Sequence, residues 1–200
     1  MAINFQYNKT AQQTLEKQLK VRERALPTLK NKESALRVEV KRAKDRSQEL
    51  DGLMAEKLVQ YDAMSKLWSE FTPSLIKVKD VSLSMKKIAG VRTPILENIE
   101  FETAPFSLFN SPVWYPDGIA IVKELAQIGI EKEVFHQKMK LLDFARKKTT
   151  KKVNLYEKVQ IPGYQDAILK IKRFLEDEEN LSKSAQKIVK NRQQQMEVEA

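Results

Sequence analysis

The chain has 200 residues, 32 % of them charged, with only 5 glycines and 7 prolines. So few turn-forming residues favour long helices over a globular domain of many short elements. The absence of cysteine excludes disulfides and thiolate metal sites, and no stretch approaches the roughly 18 apolar residues of a membrane span.

The net charge of +9 is concentrated towards the two ends of the sequence. Residues 1–50 carry 12 Lys/Arg against 6 Asp/Glu, and residues 138–192 carry 15 against 7. If the two ends pair, one end of the molecule is basic. Such a patch suits an acidic protein partner or, alternatively, nucleic acid.

The first arm shows a long heptad pattern. From Leu15 to Val78, positions at alternating spacings of four and three are apolar, with the exceptions of Arg22, Glu33, Ser47 and Lys57. A 3.5-residue repeat predicts a left-handed supercoil against a partner helix. We therefore predict a coiled-coil arm over residues 8–88, with kinks at Pro27 and Pro73, because proline removes a backbone donor. A break of the helix near Thr72-Pro73 is the alternative. Its seam includes Leu50, Met54, Tyr61, Met64 and Trp68.

The middle of the chain differs in composition, because four of the seven prolines fall within residues 91–118. Alternating apolar residues predict a strand at 95–101, with a turn at 102–105 and a returning strand at 106–114. We therefore predict a β-hairpin knob over residues 89–117. Its aromatic side chains either pack on the helices or form a docking surface. They are Phe106, Phe109, Trp114 and Tyr115.

Helical periodicity resumes in a second arm, predicted at residues 118–195. It weakens at Pro162 and fades after Leu181. Because the two arms have similar lengths, the predicted fold is mainly α. It is one elongated domain, a long antiparallel two-helix coiled coil (left-handed) with a small β-hairpin knob between the arms.

The sequence offers little to a catalytic or metal site. It lacks a Gly-Lys-Ser/Thr phosphate loop, and its single histidine, His136, excludes a two-histidine metal site. The acidic run 176–179 is interpreted as a solvated helix face, because adjacent carboxylates on a helix point in different directions. The basic run 146–152 is interpreted in the same way, with a nucleic-acid patch as the alternative. We expect no catalytic residue, no metal and no cofactor.

Three segments resemble the D subunits of the V/A-type ATPases. Residues 90–96 are similar to the family's Gly-Val-x-x-Pro-x-Leu stretch, and residues 152–162 to its basic-Val-Asn-x-x-Glu-x-x-x-Ile-Pro signature. The chain departs from the family at residues 25–27, where a glycine is usual, and at Gly163, where a long basic or polar residue is usual. The family's Leu-Lys-x-Lys-x-x-x-Leu element is matched by Leu29, Lys30, Lys32 and Leu36.

The resemblance implies a central stalk, or rotor shaft, that catalyses nothing itself. It would transmit torque between the catalytic hexamer of A and B subunits and the membrane ion-translocating rotor, on the cytoplasmic side and peripheral to the membrane. Further implied partners are the small stalk protein, called the F subunit, and a membrane-side coupling subunit. Hexamer contacts are expected at Leu29, Lys30, Lys32, Leu36, Ile168 and Ile171. Contacts with the F subunit and the coupling end are expected at Lys152, Val153, Asn154, Phe106, Phe109, Trp114 and Tyr115.

Two other functions fit the same residues. A coiled-coil scaffold without a motor predicts a stable homo-oligomer and no partner ring. A nucleic-acid-binding protein predicts an affinity that falls steeply as salt rises.

Overall fold

The structure is a computed structural model that describes residues 3–62, 64–107, 109 and 111–199. Two long helical stretches lie on either side of a small antiparallel hairpin in the sequence, which confirms the predicted fold class. The elements in chain order are α1 (Lys9–Asp62), α2 (Ser65–Trp68), a 3-10 turn (Pro73–Leu75), β1 (Ile76–Ile88), β2 (Val91–Thr103), α3 (Tyr115–Leu155), a π-helical turn (Tyr156–Gln160) and α4 (Ile161–Glu199).

The chain divides into two compact units. The terminal unit comprises Met1–Asn31 and Thr149–Ala200, and the hairpin unit comprises Lys32–Lys148. Within each unit, α1 runs antiparallel to the second helical stretch, because partners of rising number on α1 have falling numbers opposite. In the terminal unit these contacts join Gln18 to Tyr164, Arg22 to Gln160 and Lys30 to Glu157. In the hairpin unit they join Arg46 to Glu131 and Lys57 to Glu124.

Each unit buries a short apolar core along its helix pair. The hairpin unit buries Leu36, Ala43, Leu50 and Leu142. The spacing of the first three follows the predicted heptad seam. The terminal unit buries Leu15, Tyr164, Ala167 and Ile171, with further apolar side chains packed against them.

The hairpin is closed by a tight two-residue turn at Ala89-Gly90. Ile88 pairs with Val91, and the two turn residues have φ angles of 47° and 83°. Two consecutive positive φ angles make a type I′ turn, whose twist matches that of the strands it joins. The turn therefore fixes the register of β1 against β2.

The predicted extent of the first arm is wrong beyond residue 62. Helix α1 ends at Asp62, and residues 76–88 form β1 where the helix was expected to continue. Pro73 begins a 3-10 turn, because its missing N–H is tolerated in a first turn. Leu75 and Val78 fit the heptad spacing although neither lies in an α-helix.

The hairpin was also predicted with the wrong partner. Strand β2 covers the expected strand at 95–101, but its partner precedes it, and residues 106–114 form no strand in the part that the structure describes. Pro105 and Pro112 lack the backbone N–H groups that a strand would need there for pairing. The Ala89-Gly90 turn instead lets β1 pair with β2 along its whole length. The expected turn at 102–105 is therefore replaced by the turn at Ala89-Gly90.

The second helical stretch is longer than expected. Helix α3 begins at Tyr115 and α4 ends at Glu199, against predicted limits of 118 and 195. Pro162 is accommodated near the start of α4, directly after the π-helical turn. Pro27 lies inside α1 without ending it. The assignment of the whole chain to one elongated domain remains a prediction.

Candidate functional site

The structure gives different roles to the residues expected at the catalytic-hexamer end. Leu36 and Ile171 are 0 % exposed. Side chains without surface cannot contact a partner, so the prediction is corrected for these two, which are core residues. Ile168 is partly buried against the apolar core of the terminal unit, called the terminal core below. Leu29 is half-buried, and Lys32 is exposed.

Lys30 forms a cross-link between the two helices of the terminal unit. Its Nζ lies 2.6 Å from the Glu157 carboxylate, and both side chains are about half exposed. An exposed pair of this kind contributes roughly 0–1 kcal/mol. Lys30 is therefore available to an acidic partner at little cost in stability.

A second cross-link in the terminal unit centres on Arg22. Its Nε donates to the Gln160 side-chain oxygen at 2.7 Å, and its guanidinium lies 4.5 Å from the ring centre of Tyr164. The Tyr164 hydroxyl donates to Gln18 at 2.7 Å. Arg22 therefore occupies a seam position with a polar contact where the heptad pattern expects an apolar one.

The last turns of α4 expose one apolar face. Every residue from 176 to 196 is exposed, and Leu181 and Met196 keep 72 % and 70 % of their surface. At 3.6 residues per turn, the apolar residues of this stretch fall on one side of the helix. The α4 apolar face comprises Leu181, Ala185, Ile188, Val189 and Met196, and Arg192 lies on the same side of the helix between Ile188 and Met196. The helical periodicity of the sequence does not predict this face, because the periodicity fades after Leu181.

The aromatic residues of the predicted knob mostly pack on one another. Trp114 lies between Trp68 and Tyr115, with ring centres 5.4 and 5.5 Å away, and Phe71 lies 5.8 Å from it. The Tyr115 hydroxyl donates to the Glu70 carbonyl oxygen at 2.7 Å. This aromatic cluster also includes Phe106, 6.2 Å from Tyr115.

Phe109 lies outside that cluster, because its side chain is 100 % exposed. Of the four aromatics expected at a docking surface, it alone presents its whole side chain. Trp114 packs closely on α3, since a Cβ placed on Gly118 would lie 2.6 Å from the indole. We conclude that the cluster closes the end of the hairpin unit's helix pair.

The predicted stalk-partner residues belong to both units. Lys152, Val153 and Asn154 lie on α3 in the terminal unit, whereas the four knob aromatics lie in the hairpin unit. Val153 is buried, and Lys152 and Asn154 are exposed. The exposed pair alone is available to a partner.

The remaining seam residues differ in burial. Leu50 is buried, and Met54 and Tyr61 are half-buried on α1. Met64 and Trp68, also half-buried, lie beyond the end of α1.

Glu124 on α3 receives two contacts from the seam of α1. The Lys57 ammonium lies 2.9 Å from its carboxylate, and the Tyr61 hydroxyl donates to it at 3.1 Å. Hydrogen bonding from Lys57, and then from Tyr61, lowers the pKa of Glu124. Lys57 in turn has a raised pKa, chiefly because of the same hydrogen bond.

The sequence model of the family of ATP synthase D subunits matches residues 11–191. The chain belongs to that family. The match covers most of the described residues, including both helices of each unit and the hairpin. It also confirms the resemblance found in the sequence motifs.

Individual relatives share the family description. The chain is 34 % identical over 177 residues to the V-type ATP synthase D subunit of Borreliella burgdorferi, covering 87 % of each chain. It is 28 % identical over 180 residues to that of Chlamydia abortus, covering 88 % of this chain and 86 % of the relative. It is 28 % identical to that of Chlamydia trachomatis serovar L2 over 175 residues, 85 % of this chain and 86 % of the relative. These matches span nearly the full length of each relative.

The charge of this family member is uneven between its units. The terminal unit carries 16 Lys/Arg against 10 Asp/Glu, and the hairpin unit 20 against 17. In the basic run, Arg146 and Lys147 both contact the Asp143 carboxylate, at 2.7 and 2.9 Å. Hydrogen bonds from Lys147, and then from Arg146, lower the pKa of Asp143.

Metal-binding clusters and membrane spans are both missing from the described residues. In that part of the chain, no group of three or more His, Cys, Asp or Glu is arranged to hold a metal ion. Likewise, none of its helices combines the length and apolar character needed to cross a bilayer.

Proposed function

We propose that this chain is the central stalk of a V-type rotary ATPase, a non-catalytic subunit that transmits torque. It would couple the catalytic hexamer of A and B subunits to the membrane ion-translocating rotor, on the cytoplasmic side and peripheral to the membrane. The observation that carries the proposal is the α4 apolar face, an amphipathic helix end whose apolar side chains are exposed. Membership of the family of ATP synthase D subunits supports the proposal, because the relatives are named as subunits of a V-type ATP synthase.

A shaft inside a ring needs contacts that hold it without locking it. Leu181, Ile188 and Met196 offer apolar contact, which is non-directional and can be exchanged between successive ring subunits as the shaft turns. Directional ion pairs in place of most of these contacts would favour one orientation. The α4 apolar face is therefore suited to a bearing.

Torque requires that the shaft favour a different state of each catalytic interface. A stalk that contacts the three interfaces differently shifts each one's conformational equilibrium, and rotation exchanges those shifts. In this mechanism the chain needs no catalytic residue, because nucleotide chemistry stays in the ring. Its own task is to resist twisting, which paired helices do better than one.

Electrostatics would assist assembly. The excess of Lys/Arg in the terminal unit includes exposed side chains such as Lys30 and Lys172. An acidic inner surface of the ring would attract them, and exposed charges are screened within about 10 Å at 0.1 M salt. Assembly should therefore slow as ionic strength rises.

The other partners are assigned to exposed residues from the predicted set. We propose that the small F subunit of the stalk and the membrane-side coupling subunit contact Lys152, Asn154 and Phe109. The role of Trp114 and Tyr115 in those contacts is indirect, through closure of the aromatic cluster.

The decisive experiment is co-expression with the A, B, F and coupling subunits. Size exclusion measures assembly, and coupled ATPase and ion-transport assays measure function. The double variant Leu181→Asp with Ile188→Asp should lose assembly with the ring, because it replaces two apolar contacts of the proposed bearing by two carboxylates. Its circular dichroism should be unchanged, since both positions are exposed.

The matched control is Gln186→Asp with Gln193→Asp. It adds the same charge at the same seven-residue spacing outside the α4 apolar face, roughly 140° around the helix from Leu181 and Ile188. Assembly and coupling should remain near wild type. Equal loss in both variants, or wild-type assembly of the first, contradicts the bearing.

A further inference from the structure

The segment before α1 packs against the terminal core. Ile3 and Phe5 contact the cluster that Leu15 and Ile171 help to form. At its other end, Asn8 Oδ1 accepts from the Ala11 N–H at 2.6 Å, which caps the start of α1. Residues 3–8 are therefore held at both ends.

Ile3 reaches α4 at a glycine. A Cβ placed on Gly163 would lie 3.2 Å from Ile3 Cδ1 and 3.7 Å from its Cγ1. Glycine is among the least favourable residues inside a helix, so a packing reason is expected for it there. Here the missing side chain makes room for Ile3.

Aromatic contacts continue the path along the same side of α4. The Phe5 and Tyr7 rings lie 5.3 Å apart, and Tyr7 lies 4.9 Å from Phe174. Gly163 and Phe174 are eleven residues apart, about three turns and roughly 16 Å along one helix face. Four extended residues span about 13 Å, so residues 3–7 match that distance with their side chains added.

The segment does not fill the space beneath it. A cavity of about 480 Å³ lies between it and α1, lined by uncharged polar side chains as well as by Leu15 and Tyr164. Those polar side chains include Asn4, Thr10, Thr14 and Gln18. The segment is thus fastened by Ile3, Phe5, Tyr7 and Asn8, while Asn4 borders the cavity.

We propose that residues 3–8 form a releasable strap that fastens α1 to α4, with Gly163 as the socket for Ile3. The strap ties the two helices by side-chain contacts on both, so it opposes sliding of one helix along the other. Its release uncovers Leu15 and Tyr164. The strap itself does not depend on the stalk role, although its use in resisting load rests on the proposed function.

Filling the socket should release the strap. In the full chain, Gly163→Leu places a side chain where Ile3 sits, and chymotrypsin should then cleave after Phe5 and Tyr7 more quickly. We expect about tenfold or more, the order of magnitude that burial of one isoleucine side chain supplies. Unchanged cleavage in a variant with wild-type circular dichroism overturns the proposal.

Gly163→Leu could prevent folding, so a second test uses the smaller side chain of alanine. Gly163→Ala, Gly52→Ala and Gly129→Ala each replace a helical glycine by a better helix former. Among the described residues, no atom outside the glycine's own helix backbone and chain neighbours lies within 4 Å of a Cβ at position 52 or 129. Both controls should therefore raise Tm, and Gly163→Ala should raise it less.

The effect of Gly163→Ala on Tm with and without the Ile3 side chain tests whether the two residues are in contact. In an Ile3→Ala background, Gly163→Ala should raise Tm as much as the two controls do, because the clash is gone. If the shortfall persists without the Ile3 side chain, or if no shortfall exists in the wild type, the strap does not use this socket and the proposal fails. The stalk function is tested separately by assembly, so either proposal can fail alone.

Discussion

The terminal unit and the hairpin unit both pair α1 with the second helical stretch, but α1 is buried more completely in the hairpin unit. In the hairpin unit, Leu36, Ala43 and Leu50 are buried at heptad spacing. In the terminal unit, every α1 residue from 16 to 31 keeps some exposure, and polar contacts join the helices. In the terminal unit the same heptad pattern keeps an apolar core at Leu15 and then continues through a stretch, Arg22 to Lys30, whose cross-helix contacts are polar. We call that stretch the polar seam.

Backbone irregularities fall in the polar seam. Pro27 lies in α1 between Arg22 and Lys30, whose partners Gln160 and Glu157 lie in the π-helical turn opposite. Proline removes a backbone hydrogen bond, and a π turn changes the pitch locally. Both helices of the terminal unit are therefore irregular at the same level. We infer that the terminal unit bends more easily there than the hairpin unit does along its seam.

The largest expected effect comes from placing a charge in the apolar seam. Leu50→Asp buries an unpaired carboxylate at a position 2 % exposed and should cost about 3–5 kcal/mol of unfolding free energy. Urea denaturation followed by circular dichroism measures it. The control is Val59→Asp, at a position of α1 that is 76 % exposed, and it should change stability little. Comparable losses in both would contradict an apolar seam at Leu50.

Removing the proline should make the terminal unit more like the hairpin unit. Pro27→Ala restores a backbone donor inside α1 and should stabilise it by up to about 3 kcal/mol. Hydrogen exchange should slow at residues 22–31 and stay unchanged at residues 40–50. Slower exchange in both stretches, or in neither, would remove the proposed difference in local flexibility.

The polar seam itself is tested at Arg22. Arg22→Ala removes the hydrogen bond to Gln160 and the contact with the Tyr164 ring. We expect a loss of about 1–2 kcal/mol, measured by urea denaturation. Arg24→Ala, which removes an exposed arginine two residues further on, should cost much less. A loss at Arg22 no larger than that at Arg24 would show that the polar contacts do not hold the pair.

The smallest effect is a pH dependence in the hairpin unit. The pKa of Glu124 lies below its ordinary value of 4.5, first because of Lys57 and then because of Tyr61. A depressed carboxyl pKa contributes stability that is present above the ordinary value and lost as pH falls through the folded value. The urea concentration at the unfolding midpoint should therefore decrease as the pH is lowered from about 4.5 through the folded pKa of Glu124. Glu124→Gln should make that decrease smaller. Glu56→Gln, an exposed control, should leave the pH dependence unchanged.

Much of the fold could be predicted from local pattern. The heptad positions Leu36, Ala43 and Leu50 are buried as the 3.5-residue spacing requires, because helical periodicity is a property of the sequence itself. The same spacing failed at Leu75, which lies in the 3-10 turn, and at Val78, which lies in β1, since a few residues can match a helical spacing by chance outside a helix. What decided that stretch was its pairing with β2 across the Ala89-Gly90 turn.

The functional surfaces were harder to predict. The sequence placed Phe106, Phe109, Trp114 and Tyr115 in one group. Only the structure separates exposed Phe109 from the other three, because Trp68 and Phe71 approach them from a distant part of the chain. Burial of a side chain depends on such distant neighbours, which no local window contains.

By itself the sequence determined that the chain forms long helices, that a hairpin interrupts them, and that its motifs are similar to those of the D subunits of the V/A-type ATPases. The tertiary structure decided which apolar side chains are covered. Ile171 is buried in the cluster with Leu15 and Tyr164, whereas Leu181 on the same helix is exposed. Both residues are apolar positions of one amphipathic helix, and whether either is buried depends on what packs opposite.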